Sequence, residues 1–182
     1  ESDNLALKGC YFGDPRKPRR VAVSALEHSA VRGAAEDLRK LGAEVVSIPA
    51  DRRGIVTPQA LSEAVREGVC VAAVMAANNE TGTIQPVKEL AEAAHAAGAR
   101  YLCDAVQAIG KIPVDAGAWD VDFLAITAHK FYGPRGIGAL FIRRGVPLAP
   151  QISGGGHERS RRAGTENVIG AFGLALALEK AN

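Results

Sequence analysis

Cysteine is scarce here and does not pair. Cys10, Cys70 and Cys103 are odd in number and far apart, with no CxxC and no mixed Cys/His cluster. That excludes a disulfide framework or a zinc site as the organising feature. Cys70 and Cys103 lie in apolar runs, where a thiol reads as a core residue before it reads as a nucleophile. No apolar run reaches the length of a membrane span, and the N-terminus lacks the charged-then-apolar pattern of a signal peptide. Net charge is only +2, which argues against nucleic acid or a membrane surface as partner. The basic stretch Arg16, Lys17, Arg19, Arg20 is broken by Pro15 and Pro18 and reads as a solvated loop. There is no internal repeat, low-complexity tract, P-loop, GxGxxG or Ser/His/Asp order. What remains is a globular composition, 47% hydrophobic and 23% charged over 182 residues, suited to one domain or a large piece of one. A reducing compartment fits the cysteines, and the cytoplasm is the expected location.

Apolar β-rich runs alternate with amphipathic helical runs. Val21–Leu26 is a first short run. Val31, Ala34, Ala35, Leu38 and Leu41 give helical spacing over Ser29–Leu41, closed by Gly42. Glu44–Ile48 is the next strand. Thr57 can cap a helix that begins with Pro58 and runs to about Glu67. Val69–Ala76 is apolar on both faces, Val87–Ala97 is helical and closed by Gly98, and Arg100–Cys103, Phe123–Thr127 and Ala139–Arg143 are further strands. Glu1–Lys8 reads as the first turns of a helix and Ala171–Lys180 as another. Strands without simple alternation are buried on both faces, and strand–helix–strand repetition predicts a mostly parallel sheet flanked by helices. The link between the last two strands is too short for a helical crossover, so the final strand is expected to run antiparallel.

Parallel sheets place ligand sites at the carboxyl ends of their strands, and polar residues collect there. Glu27 and His28 follow the first strand, Asn78, Asn79 and Glu80 the third, Asp104 and Gln107 the fourth, and Thr127, His129 and Lys130 the fifth. A lysine at a strand end can be desolvated, which frees its amine to attack a carbonyl. It can equally be a surface residue or a phosphate clamp. Asp104 ends an apolar strand and needs a partner, either as a helix N-cap or as the counter-charge to a cation. Pyridoxal phosphate (PLP) uses both groups, a lysine for its aldehyde and a carboxylate for its ring nitrogen. At about 4 Å and an effective dielectric near 20, such a charge pair is worth roughly 4 kcal/mol, or about three pKa units. Gln107 and Asn79 suit the phenolic oxygen, or solvent and a turn respectively. His28 suits ring stacking and proton transfer, or a helix cap. His95, on a helical run, is expected to be a hydrogen-bonded histidine without a role in chemistry. Thr127 and His129 suit a phosphate, and Gly164-Thr165, before a helix, suits another of its oxygens.

Six segments occur together and in order: Glu1-Ser-Asp-Asn-Leu-Ala-Leu-Lys-Gly, Glu27-His-Ser-Ala, Asn78-Asn-Glu-Thr-Gly, Asp104-Ala-Val-Gln-Ala, Ala128-His-Lys-Phe-Tyr-Gly-Pro-Arg-Gly-Ile-Gly, and Gly154-Gly-Gly-His-Glu-Arg with Arg162-Ala-Gly-Thr-Glu-Asn. In these the chain resembles the cysteine desulfurases of the class V aminotransferase family, PLP enzymes with the aspartate-aminotransferase type of fold. The resemblance implies that Lys130 carries PLP as a Schiff base and that Asp104 pairs with its ring nitrogen. Gln107 and Asn79 would lie at the phenolic side, and His28 would stack on the ring and move protons. Thr127, where many relatives have serine, and His129 would bind the phosphate, and Thr165 would reach the phosphate of a partner subunit in a homodimer. It implies L-cysteine as substrate, L-alanine as product, and sulfur passed through an enzyme persulfide to an acceptor or scaffold for iron–sulfur clusters or thio-modification. The family's catalytic cysteine, its substrate-carboxylate arginine and its small domain are expected beyond Asn182, and its glycine-threonine phosphate loop before Glu1. The chain is then the central part of the PLP-binding large domain, not expected to release sulfide by itself. A selenocysteine lyase, another class V enzyme and a non-catalytic chain are the alternatives.

Overall fold

The computed structural model describes residues 1–181. Six strands form one sheet in the order β2-β1-β3-β4-β5-β6: β1 (Arg20–Ser24), β2 (Glu44–Ile48), β3 (Val71–Ala73), β4 (Arg100–Asp104), β5 (Phe123–Thr127) and β6 (Gly138–Ile142). The first five run parallel. β6 is antiparallel to β5, with Thr127 opposite Gly138 and Phe123 opposite Ile142, as the short link predicts.

Side chains alternate across a strand even where both faces are apolar. Val21, Val23, Val71, Ala73, Leu102 and Phe123 therefore pack on one side, against α1 (Ser2–Gly13) and α2 (Ser29–Lys40). Ala22, Ala72, Tyr101, Cys103 and Leu124 pack on the other, against α3 (Pro58–Val65), α4 (Val87–Ala96) and the last helix, α6 (Val168–Ala181). A fully buried Leu102 or Phe123 contributes about 1.5–3 kcal/mol by leaving water. Burial on both faces holds for the central strands. At the edges, β2 and β6 are half-exposed, because no strand covers their outer sides.

The helix signals lie where expected. The Thr57 Oγ1 accepts from the Ala60 amide at 3.2 Å, with Pro58 in the first turn, and Gly42 and Gly98 take positive φ after α2 and α4. Four details differ from the sequence reading. β1 stops at Ser24, because the Ser24 Oγ accepts from the Leu26 amide and turns the chain. Only Val71–Ala73 of the third apolar run is regular strand, although the Val74 and Ala76 amides still donate to β4 carbonyls. The residues after Asp104 form successive turns instead of a helix. A one-turn segment, α5 (His157–Ser160), has Glu158, Arg159 and Ser160 at positive φ.

Candidate active site

The carboxyl ends of β1, β3, β4 and β5 open onto one cleft of about 1220 Å³, larger than the ~300–1,000 Å³ of most ligand pockets. His28, Asn79, Asp104, Gln107, Thr127, His129, Lys130 and Thr165 all line it. Residues up to 137 positions apart in the chain thus meet in one space because four strand ends and the approach to α6 converge there.

Asp104 is the floor. It is 5% exposed, and its Oδ1 accepts from the Val106 amide at 2.9 Å. Burial raises its pKa above the ordinary carboxylate range, while that amide and the charges of His28 and Lys130 pull it down. No helix follows for Asp104 to cap: it accepts from the turn after β4 and remains a poorly hydrated acid. Lys130 lies in a 3₁₀ turn (Ala128–Phe131) directly after β5. It is exposed at the cleft wall, so the desolvation expected for it is not supplied by the described residues. Its turn is fixed on the other side. Tyr132 takes φ 65°, and the Gly133 amide donates to the Ala128 carbonyl at 2.9 Å.

The remaining residues keep local partners. His28 Nδ1 accepts from the Ala30 amide at 3.2 Å as the N-cap of α2, leaving the other ring nitrogen for the cleft. Thr127 Oγ1 is 3.1 Å from His129 Nδ1 and also donates to the Ile137 carbonyl at 3.3 Å. Gln107 Oε1 accepts from Lys111 at 3.2 Å. Thr165 lies on the cleft wall of its own chain, two residues before Asn167, whose Oδ1 accepts from the Gly170 amide in the first turn of α6. Asn78 does the structural work beside Asn79: its Nδ2 donates to the Leu26 carbonyl at 3.2 Å, and its Oδ1 accepts from the Glu80 and Thr81 amides.

A further acid, Asp3, lines the same cleft and had no role in the sequence reading, and Glu27, named there only as a polar residue after the first strand, is buried against Met75. Asp3, in the first turn of α1, and Glu27, after β1, are both buried. Burial, followed by Asp104, raises Asp3 to about 7. Burial raises Glu27 to about 8 against the Met75 amide that it accepts. The sequence holds a signal for Asp3: it continues the buried stripe of Ala6, Leu7 and Cys10 at helical spacing. On the rim, Arg162 donates to Glu1 at 2.9 Å, and Arg159 and Arg161 also face the cleft. The three thiols are buried elsewhere: Cys10, Cys70 and Cys103 do not line the cleft, and burial raises Cys103 well above an ordinary thiol.

An α/β domain with acids, a lysine and imidazoles gathered at the strand ends is the frame of a cofactor-dependent enzyme. Residues 1–182 match the aminotransferase class-V family throughout, and the chain belongs to it. It is 45% identical to the cysteine desulfurase IscS of Dictyoglomus turgidum over 181 residues, all of this chain and 46% of that protein. Identity is also 45% to the cysteine desulfurase IscS of Methanosarcina thermophila, of which it covers 45%. The chain thus spans about half the length of these curated relatives. A solved NifS-like protein superposes with TM-score 0.94 at 41% identity, over 99% of this chain and 50% of that one. A structure described as SspA in complex with cysteine gives 0.91 at 32%, over 98% and 52%. Among the described residues no helix is long and apolar enough to cross a membrane.

Proposed function

We propose that the chain is the central part of the PLP-binding large domain of a cysteine desulfurase, which takes sulfur from L-cysteine and leaves L-alanine. The observation that carries this is the convergence of Lys130, Asp104, His28 and Thr127 with His129 on one cleft from three separate strand ends. The donor set fits the cofactor. Asp104 offers one buried carboxyl for a ring nitrogen. Lys130 offers an amine for an aldehyde. Thr127 and His129 offer a hydroxyl and an imidazole for phosphate, and Gln107 and Asn79 offer amides for a phenolic oxygen. When bound, PLP supplies an electron sink for negative charge at the substrate Cα.

The residues would divide the work by position. Asp104 holds negative charge on the floor and orients a ring cation above it. Lys130, on the wall, would hold the cofactor through its amine and, once displaced from it, that amine would carry a proton to or from the substrate. His28 is held by its cap bond at Nδ1, so proton transfer falls to its Nε2. Thr165 serves the phosphate of a partner subunit in a homodimer. The sulfur-accepting thiol is not one of the three cysteines here, because none lines the cleft. The acceptor beyond it is a carrier or scaffold protein in the cytoplasm.

Borohydride reduction of PLP-incubated protein tests the anchor. One equivalent of cofactor should be fixed on the peptide holding Lys130, read by mass spectrometry, and none on any peptide of Lys130→Ala. Stable label on another lysine would sink the assignment. In the full-length protein, release of alanine from L-cysteine tests the reaction.

A further inference from the structure

Three carboxyl groups are buried at or beneath the cleft, each from a different element: Asp3 from α1, Glu27 from the turn after β1, and Asp104 from the end of β4. They are 8%, 3% and 5% exposed. The charge of Asp104 raises both Asp3 and Glu27, and that of Asp3 raises Glu27. Glu27 Oε1 accepts from the Met75 amide at 2.8 Å, yet Glu27 Oε2 and Asp3 Oδ1 are buried with no hydrogen-bond partner.

A metal does not explain them: among the described residues no group of three His, Cys, Asp or Glu side chains could hold one. The other groups that face the cluster are few. Tyr101 and Cys103 from β4 are pushed up by burial and stay neutral. His28 at the start of α2 and Lys130 after β5 act on Asp104 alone. Neighbouring carboxylates out of water repel one another and lose hydration, and without enough cations they keep protons. A proton also turns an unpartnered carboxyl oxygen from a bare acceptor into a donor.

We propose that Asp3 and Glu27 each hold a proton in the folded protein, so that Asp104 alone is ionised against a cationic ring nitrogen. The identity of that cation rests on the PLP reading above; the protonation of Asp3 and Glu27 does not. Asp3 and Glu27 are positioning residues, acting through the charge of Asp104. The values of about 7 for Asp3 and about 8 for Glu27 agree with this. Both lie above the ordinary carboxyl range, so the folded state binds more protons than the unfolded one. The stability they contribute is fully present below about pH 4 and is lost as pH rises through 7 to 8.

The test uses the full-length protein with Glu27→Gln and Asp3→Asn, which mimic neutral acids. Infrared spectra of the native protein at pH 6 should show carboxylic-acid carbonyl bands, one removed by each substitution. A native spectrum with ionised carboxylates only would overturn the proposal, and needs no variant to fold. Thermal midpoints of the native protein should fall between pH 6 and pH 9, and Glu27→Gln should remove about half or more of that fall. A native slope in Glu27→Gln would count against the site as strongly as the infrared result. At pH 6, PLP should bind Glu27→Gln within about threefold of native, whereas a loss of about tenfold or more would mean a charged Glu27 is needed. If the native protein takes up no PLP, the cofactor reading and the named cation fall, while the infrared bands still decide whether Asp3 and Glu27 are protonated.

Discussion

Asp104 and Asp122 are both buried aspartates, yet the protein satisfies one and leaves the other waiting. Asp122 is fully buried at the opposite edge of the sheet. Its Oδ2 accepts from the Tyr101 amide at 2.8 Å and pairs with His95 Nε2 at 2.7 Å, while Arg100 and Arg143 approach its Oδ1 at 3.4 and 3.6 Å. Asp104 has one backbone donor. Removing Asp122 strands a buried amide and two guanidinium groups, so Asp122→Ala should cost about 3–5 kcal/mol in urea unfolding. Asp104→Asn removes a buried charge that the chain does not pair, so its unfolding midpoint should hold or rise, while PLP affinity falls by about tenfold or more. Equal destabilisation by both would show that Asp104 is structural. His95 illustrates what spacing conveys. A histidine on a helical run reads correctly as a hydrogen-bonded residue. Its clamp between Asp120, at 3.2 Å, and Asp122 joins residues too far apart in the chain for any local pattern to link them.

At the scale of elements, the glycines after Lys130 act through space more than through flexibility. A Cβ on Gly133 would stand 2.8 Å from the Ala128 Cβ and 3.0 Å from the Ala177 Cβ, and one on Gly138 would stand 2.6 Å from the Ile126 carbonyl oxygen. Gly133 therefore lets α6 press on the turn that carries Lys130. Gly133→Ala should cost about 1–3 kcal/mol by overpacking and should also slow borohydride trapping of PLP at Lys130. A destabilised variant with native trapping would separate packing from positioning. The parallel strands and most helices were legible because apolar runs, Thr57-Pro58, Gly42 and Gly98 are local signals. The antiparallel β6 was legible from link length. Three features were not. The ends of β1 and β3 depend on contacts with neighbouring strands. α5 takes left-handed angles at Glu158, Arg159 and Ser160 that those residues do not advertise. Glu27 looked like a polar residue beside His28, and only the fold shows it to be buried.

For the whole molecule, the open question is what the surface of α6 does in water. Val168, Ile169 and Phe172 are 72%, 88% and 73% exposed, and Leu176 is 43% exposed. Their positions, i, i+1, i+4 and i+8, fall on one side of the helix, while Gly170 and Leu174 face the protein. The helix is thus apolar on both sides, which fits its sequence but not a solvent-facing surface. Contiguous exposed apolar side chains promote association. The 182-residue chain should therefore self-associate as its concentration rises, read by light scattering or sedimentation. Ile169→Lys with Phe172→Glu should suppress this without lowering the thermal midpoint, because neither side chain packs on the core. Leu174→Lys, on the inner side, should lower the midpoint instead. If the double variant unfolds as readily as Leu174→Lys, the outer side of α6 contributes to the fold of this chain. If it remains as stable as the native chain and still associates, the contact lies elsewhere, and the half-exposed edges β2 and β6 become the surfaces to test.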